Sequence, residues 1–431
     1  MNFNMLHPAD RIVMIMSRLY DYGMTTTSGG NISIRDEDGT VWITPGGTDK
    51  GALRREDIVR ILPDGTVEGT HKPSSEYPFH MAVYACRPDV NAVLHAHPSS
   101  LCSFSALRRA PDTACVPDAS YICGKVAVAE YAVPGSDLLG EMITKEFSRG
   151  HSSVILENHG VVIGAPELFE AFNMFETLIF CAKVAINAAK ISAPSKRLSD
   201  KHIALYRLKT SVILEDFQPE SFSSEELEVR RSMCRLINRA YDHGLFSSTQ
   251  GTFSTRLSDG AIIVTPYGVD RKYLAPEDLV RVEGIKKEKG KSPSRSVVLH
   301  NEIYSNNPDI NSIIMARPPE IMAYAVTDSE FTTKTVPESY AVLRDVKKYP
   351  FGSSFMQPKL LAKEISSDAP VSVIENDCVI VCGSTQLQAY DRLEVLENSA
   401  KTLTDAISLG GRIVTFNGEE LEDIKRAFGI I

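Results

Sequence analysis

The chain repeats itself once, and this limits what it can fold into more than any other feature. Arg18-Leu-Tyr-Asp-Tyr-Gly23 returns as Arg239-Ala-Tyr-Asp-His-Gly244, and Trp42-Ile-Thr-Pro-Gly-Gly47 as Ile263-Val-Thr-Pro-Tyr-Gly268. Pro88-Asp-Val-Asn91 answers to Pro308-Asp-Ile-Asn311, and Ile155-Leu-Glu-Asn158 to Val373-Ile-Glu-Asn376. The offset stays between 218 and 221 along 431 residues, which means two copies of one domain and not a solenoid. The expected domains are 1–212 and 222–431. The charged stretch from about Ser195 to Ser224, which contains Pro219, is expected to connect them.

Each copy has the same layout. Ile12, Ile15, Met16 and Leu19, spaced three and four apart, predict an opening helix. A glycine turn, Ser28-Gly29-Gly30, leads to strand-like runs at Ile32–Ile34 and Val41–Ile43. A helix is expected from Tyr77 to Arg87, a strand over Val90–His95, and a strand pair over Ser153–Ile163 broken at Asn158-His159-Gly160. Pro166 suits the first turn of a long helix from Glu167 to about Ile191. Strands flanked by helices imply a layered α/β or α+β domain.

Composition excludes several function classes. A net charge of −9 offers no nucleic-acid face, and the basic run Lys286–Lys291 reads as a solvated loop tip. The apolar stretch Phe169–Ala189 carries Glu176 and Lys183, which argues against a membrane span. The first residues lack the pattern of a signal peptide. Eight scattered cysteines without Cys-x-x-Cys suit a reducing cytoplasm.

The candidate chemistry lies in the first copy. His95 and His97 end an apolar run, and residues i and i+2 of a strand share a face, so both imidazoles can grip one ion. Two satisfied surface histidines would look the same. His159 sits in a turn, where a hydrogen-bonded structural role is common. Glu76 precedes a helix and could be a first-turn acid beside a Ser74 or Ser75 cap. Asn31, Thr44, Gly46, Gly47, Ser74 and Ser75 combine glycine-rich turns with short polar side chains, which suits a phosphate or simply a tight turn.

The second copy is an internal control. His95, His97, His159 and Glu76 become Met315, Arg317, Asp377 and Ser296, while the surrounding framework stays recognisable. Residues lost together on a retained framework look like one functional unit. Arg317 and Asp377 suggest a guanidinium in a vacated cation's place, paired with a carboxylate, or else two unrelated charges. Ser294 is kept, while Arg295 and Thr252 stand at the Ser75 and Asn31 positions.

Ser28-Gly-Gly-Asn-Ile-Ser33, Thr44-Pro-Gly-Gly47, Pro73-Ser-Ser-Glu76, His95-Ala-His-Pro98 and Glu157-Asn-His-Gly160 together resemble the class II aldolase/adducin family. The resemblance covers most of residues 8–192, and the second copy resembles the same domain without its metal ligands. It implies tandem three-layer α/β/α domains, each around a largely antiparallel sheet. It also implies a divalent ion, usually Zn2+ or another such as Mn2+, held by His95, His97 and His159, with Glu76 as acid/base and possible fourth ligand. Gly30, Asn31, Gly46, Gly47, Ser74 and Ser75 would bind the substrate phosphate, and Tyr121 would protonate the leaving aldehyde oxygen. The implied reaction is retro-aldol cleavage of a phosphorylated sugar through a metal-stabilised enediolate. Epimerase, dehydratase and decarboxylase activities of the family, and an adducin-like scaffold without turnover, remain the alternatives. The resemblance further implies a homo-oligomer, with a dimer of tandem chains favoured, and a C-terminal copy that supplies a wall another subunit normally gives.

Overall fold

A computed structural model describes residues 3–209 and 213–430; the expected domain end at residue 212 lies outside them. The chain forms two compact units, residues 1–113 with 118–183, and residues 114–117 with 184–431.

The first unit contains α1 (Pro8–Asp21), β1 (Asn31–Arg35), β2 (Val41–Ile43), β3 (Val59–Ile61), β4 (Val67–Glu68), α2 (Tyr77–Cys86), β5 (Ala92–Ala96), α3 (Ser99–Ala106), α4 (Ala119–Cys123), β6 (Val126–Ala129), α5 (Asp137–Ser148), β7 (Ser153–Leu156), β8 (Val161–Ala165) and most of α6 (Leu168–Lys190). Its sheet runs β4-β3-β2-β1-β5-β8-β7-β6. Every pairing is antiparallel except β6 with β7. Pro78 sits in the first turn of α2, where its missing N–H costs nothing, and the helix stops before Pro88. Phe79, Val83 and Tyr84 of α2 and Leu139, Ile143 and Phe147 of α5 pack on one sheet face against Ile43, Val93, Val154 and Val162. On the other face lie α1, α3 and α6, with Arg18 of α1 stacked 4.5 Å over the Phe172 ring. The unit is therefore three layers, α/β/α, as a strand's alternating faces require when both are apolar.

The second unit repeats this plan. It comprises α7 (Asp200–Lys209), β9 (Glu215–Phe217), α8 (Ser224–Asp242), β10 (Thr252–Arg256), β11 (Ile262–Val264), β12 (Val280–Glu283), β13 (Lys286–Glu288), α9 (Val297–Asn306), β14 (Ser312–Ala316), α10 (Pro319–Ala325), α11 (Pro337–Leu343), β15 (Lys347–Tyr349), α12 (Ser353–Met356), α13 (Pro358–Glu364), β16 (Val371–Ile374), β17 (Cys378–Gly383), α14 (Gln386–Ser408) and α15 (Gly418–Ala427). The sheet order is β15-β16-β17-β14-β10-β11-β12-β13-β9.

Two expectations change. The stretch read as a plain connection carries α7 and the edge strand β9, which pairs in parallel with β13. The basic run at 286–291 is not a loop tip: Lys286–Glu288 is β13, Lys287 pairs with Asp216, and buried Glu288 holds Arg230 at 2.9 Å. A short run of lysines can form a strand because their aliphatic stems lie along the sheet while the ammonium groups stay in water. All eight cysteines are free. No helix among the described residues is long and apolar enough to cross a membrane.

Candidate metal centre

Strand register brings the candidates together. Asn31 of β1 pairs directly with His95 of β5, and Ser33 with Val93. Residues of this parity face α2, whose N-terminus begins just after Glu76. His97 lies just past the end of β5. His159 lies in the four-residue turn between β7 and β8, which Asn158 enters at φ +53°. Ser105 of α3 fixes that turn: its buried hydroxyl donates to Leu156 O at 2.6 Å and accepts from the His159 N–H at 2.8 Å.

One nitrogen from each of His95, His97 and His159 lies within 4.8 Å of the others. Ring centroids are 4.6 Å apart for His95–His97, 4.9 Å for His95–His159 and 5.1 Å for His97–His159. His95 Nδ1 lies 2.9 Å from Val161 O, so it carries the proton and Nε2 presents a lone pair. That Nε2 is 3.3 Å from Glu76 Oε2, and His159 Nε2 is 3.5 Å from Glu76 Oε1. The imidazoles are poor candidates for protonation. Burial, then His97 and His159, hold His95 well below the ordinary histidine range. Burial and His159 push His97 down to about 4, and burial lowers His159 against the opposing pull of Glu76.

The Nε2 lone pair of His95 and the neighbouring imidazoles therefore gather around a carboxylate. His95 Nε2, His97 Nε2 and Glu76 Oε1 are buried without a hydrogen-bond partner. Such an arrangement is repulsive unless a cation lies among the atoms. Three histidines and a carboxylate are a donor set suited to Zn2+ or a similar divalent ion. The residues fit the implied metal.

Close packing supports the cluster. A Cβ on Gly160 would lie 2.6 Å from His97 Cδ2 and 2.8 Å from Ala96 O. One on Gly30 would lie 2.8 Å from His95 O, and Gly30 holds φ +73°, which favours glycine. Gly30 thus lets the entry to β1 pass close to β5.

The remaining candidates divide. The segments carrying Gly46, Gly47, Ser74 and Ser75 lie side by side: Pro45 and Pro73 form a β-bridge, Gly46 N–H donates to Lys72 O at 3.0 Å, and Ser74 N–H to Thr44 O at 3.2 Å. Ser74 Oγ accepts from the Glu76 N–H at 3.3 Å, while Ser75 is exposed. Asn31 is buried, and its amide binds Glu76 Oε2 at 2.8 Å. Tyr121 is half-buried on the short helix α4.

Sequence reading missed several residues here. His80 contacts Asn31, and Ser105 and Gly160 support the histidines. Buried Lys50, pushed down to about 8 by desolvation, bonds the Pro45 carbonyl. The repeat held the signal: His80 recurs as His300 and Lys50 as Arg271, whereas Ser105 and Gly160 become Ala325 and Cys378 in the copy without histidines.

In the second unit, Arg317 and Asp377 form the expected pair. The guanidinium binds the Asp377 main-chain carbonyl and, at 3.2 Å, its Oδ1, with Gln250 at 3.0 Å. Ser354 donates to the other carboxylate oxygen. A fixed cation of the chain balances the carboxylate there.

A family model described as "Class II Aldolase and Adducin N-terminal domain" matches residues 10–186 and again 231–404. The 3-oxo-tetronate 4-phosphate decarboxylase of Haemophilus influenzae is 33% identical over 177 residues, 40% of this chain and 84% of that protein. The L-fuculose phosphate aldolase of Methanocaldococcus jannaschii is 32% identical over 177 residues, 41% of this chain and 94% of that protein. A solved L-fuculose 1-phosphate aldolase is 33% identical with a TM-score of 0.43, covering 47% of this chain and 95% of its own.

Proposed function

The chain belongs to the class II aldolase and adducin family, and we propose that its first unit is a divalent-metal-dependent lyase that breaks a carbon–carbon bond of a phosphorylated sugar, with zinc as the metal and retro-aldol cleavage as the reaction. The observation that carries this reading is the convergence of three imidazoles and one carboxylate with buried, unpartnered atoms. His95, His97 and His159 would hold the ion, with Glu76 Oε1 beside them. A bound divalent ion supplies positive charge where a substrate carbonyl gains negative charge as the bond breaks. Glu76 Oε1, free of hydrogen bonds and next to that position, is the atom to take or return the proton. Gly46, Gly47, Ser74 and Ser75 would hold the phosphate, and Asn31 and Gly30 border that region, so that remote binding becomes positioning. Tyr121 is the proposed donor to the departing oxygen.

Decarboxylation of an oxo sugar-acid phosphate is the second reading. It is favoured by the 33% identical decarboxylase and needs the same charge at a carbonyl next to the broken bond. Eight free thiols suit the cytoplasm, and a dimer of tandem chains is the proposed assembly.

The test is metal per chain by inductively coupled plasma mass spectrometry, before and after zinc loading and dialysis. One ion per chain, lost in His97→Ala, followed by turnover in a screen of ketose phosphates and oxo sugar-acid phosphates, is the expected result. No ion after loading would refute the lyase and leave a non-catalytic scaffold.

A further inference from the structure

We propose that Asn31 is a positioning residue. It ends a one-way hydrogen-bond chain, Tyr84–Ser33–His80–Asn31, that holds the Glu76 carboxylate by Oε2, the oxygen 3.3 Å from His95 Nε2, and leaves Oε1, 3.5 Å from His159 Nε2, without a hydrogen bond. The chain's use in catalysis rests on the lyase reading; its geometry does not.

Each link sets the direction of the next. A carboxylate can only accept, so Asn31 must present its amide nitrogen to Oε2, 2.8 Å away. Its carbonyl oxygen then faces His80 Nε2 at 2.5 Å, and that nitrogen must carry a proton. Burial keeps the ring neutral, so Nδ1 has the lone pair. The Ser33 hydroxyl, 2.7 Å from Nδ1, donates to it. Its oxygen is left to accept from the Tyr84 hydroxyl at 2.6 Å. All four side chains are buried, which excludes competing water.

Two periodicities build this line. Glu76 at the N-cap of α2 and His80 and Tyr84 within it are four residues apart, and Asn31 and Ser33 are two apart along β1, so a helix face and a strand face supply the members.

The second unit separates folding from function. It keeps the inner links: Ser254 Oγ lies 2.6 Å from His300 Nδ1 and 2.7 Å from Tyr304 Oη. Only the carboxylate end is gone. Thr252 replaces Asn31 and bonds to Ser294 and Ser296 at 2.5 and 3.0 Å, and His300 Nε2 has no hydrogen-bond partner. The His-Ser-Tyr links therefore belong to the shared framework, and Asn31 is the added link that ties them to Glu76. The same framework accepts threonine at this position, so Asn31→Thr is a variant expected to fold.

The first measurement is the tautomer of His80 in full-length, metal-free protein labelled with 15N-histidine, its signal identified by loss in His80→Gln. A proton on Nε2 is expected; a proton on Nδ1 reverses the chain and overturns the proposal. The second is the visible spectrum of the Co2+-loaded full chain. Asn31→Thr should shift its bands in the same direction as Glu76→Gln, with Co2+ affinity within threefold of wild type. A spectrum unchanged in Asn31→Thr but changed in Glu76→Gln overturns the positioning role. If turnover is found, Asn31→Thr should lower kcat tenfold or more with KM within threefold. Failure of the full chain to bind Co2+ would refute the lyase reading, while the tautomer would still decide the chain's direction.

Discussion

Gly160→Ala should weaken metal binding at the proposed site without replacing any of its three histidines. The added Cβ would lie 2.6 Å from His97 Cδ2, 2.8 Å from Ala96 O and 3.4 Å from His95 Cε1. Ala96 closes β5 and is held in register by β8, so its carbonyl yields little. The His97 ring must therefore shift by about 1 Å to regain van der Waals contact, which changes its position relative to the other two rings. Gly160 does not hold a positive φ, so alanine brings crowding without backbone strain. Displacing a ligand through its support typically costs roughly 10–100-fold in metal affinity. The overpacking itself should cost about 1–3 kcal/mol of stability in the metal-free protein. Zinc affinity by competition with a chromophoric chelator, alongside urea unfolding of the metal-free chain, measures both. The second unit carries Cys378 at this position, where methionine and arginine replace the imidazoles, so the fold accepts a side chain here once the rings are gone. Zinc affinity within twofold of wild type would show that Gly160 does not set the ring positions, and the steric argument would fall.

Ser105→Ala removes the hydroxyl that bridges Leu156 O and His159 N–H; a loss of about 1–3 kcal/mol is expected in urea unfolding, with roughly tenfold weaker zinc binding by chelator competition. Arg317→Met leaves the buried Asp377 carboxylate without its guanidinium and should cost about 3–5 kcal/mol, most of it recovered in Arg317→Met/Asp377→Asn by the same assay. The buried imidazoles His80 and His300 are pushed down to about 3 by desolvation. Their folded values lie below the unfolded value near 6.5, so their stabilising contribution is complete above pH 6.5 and is lost as pH falls toward 3. The double variant His80→Gln/His300→Gln should therefore lose stability less steeply between pH 6 and 4, by roughly 2.7 kcal/mol per pH unit. Equal slopes in urea unfolding would contradict this.

The sequence by itself determined the duplication and the layered class, and it singled out the three histidines that the fold brings together. Each of these depends on local periodicity or on comparing one copy with the other. The tandem copies made His95, His97, His159 and Glu76 stand out because all four changed on a framework that did not. The Arg317–Asp377 pair was legible for the same reason. Only the tertiary structure decided what surrounds those residues. Strand register, which cannot be read along one element, sets Asn31 opposite His95 and turns its amide to Glu76. Gly160 looked like turn chemistry, yet its lack of a side chain is what admits the His97 ring. Lys286–Glu288 looked like part of a loop because it is a charge run flanked by glycine, serine and proline, whereas pairing with β9 and β12 makes it a strand. Periodicity within one element can be read along the chain. Contacts between α2 and β1, or between a turn and the end of β5, depend on register and close packing across elements, and those exist only once the layers have met.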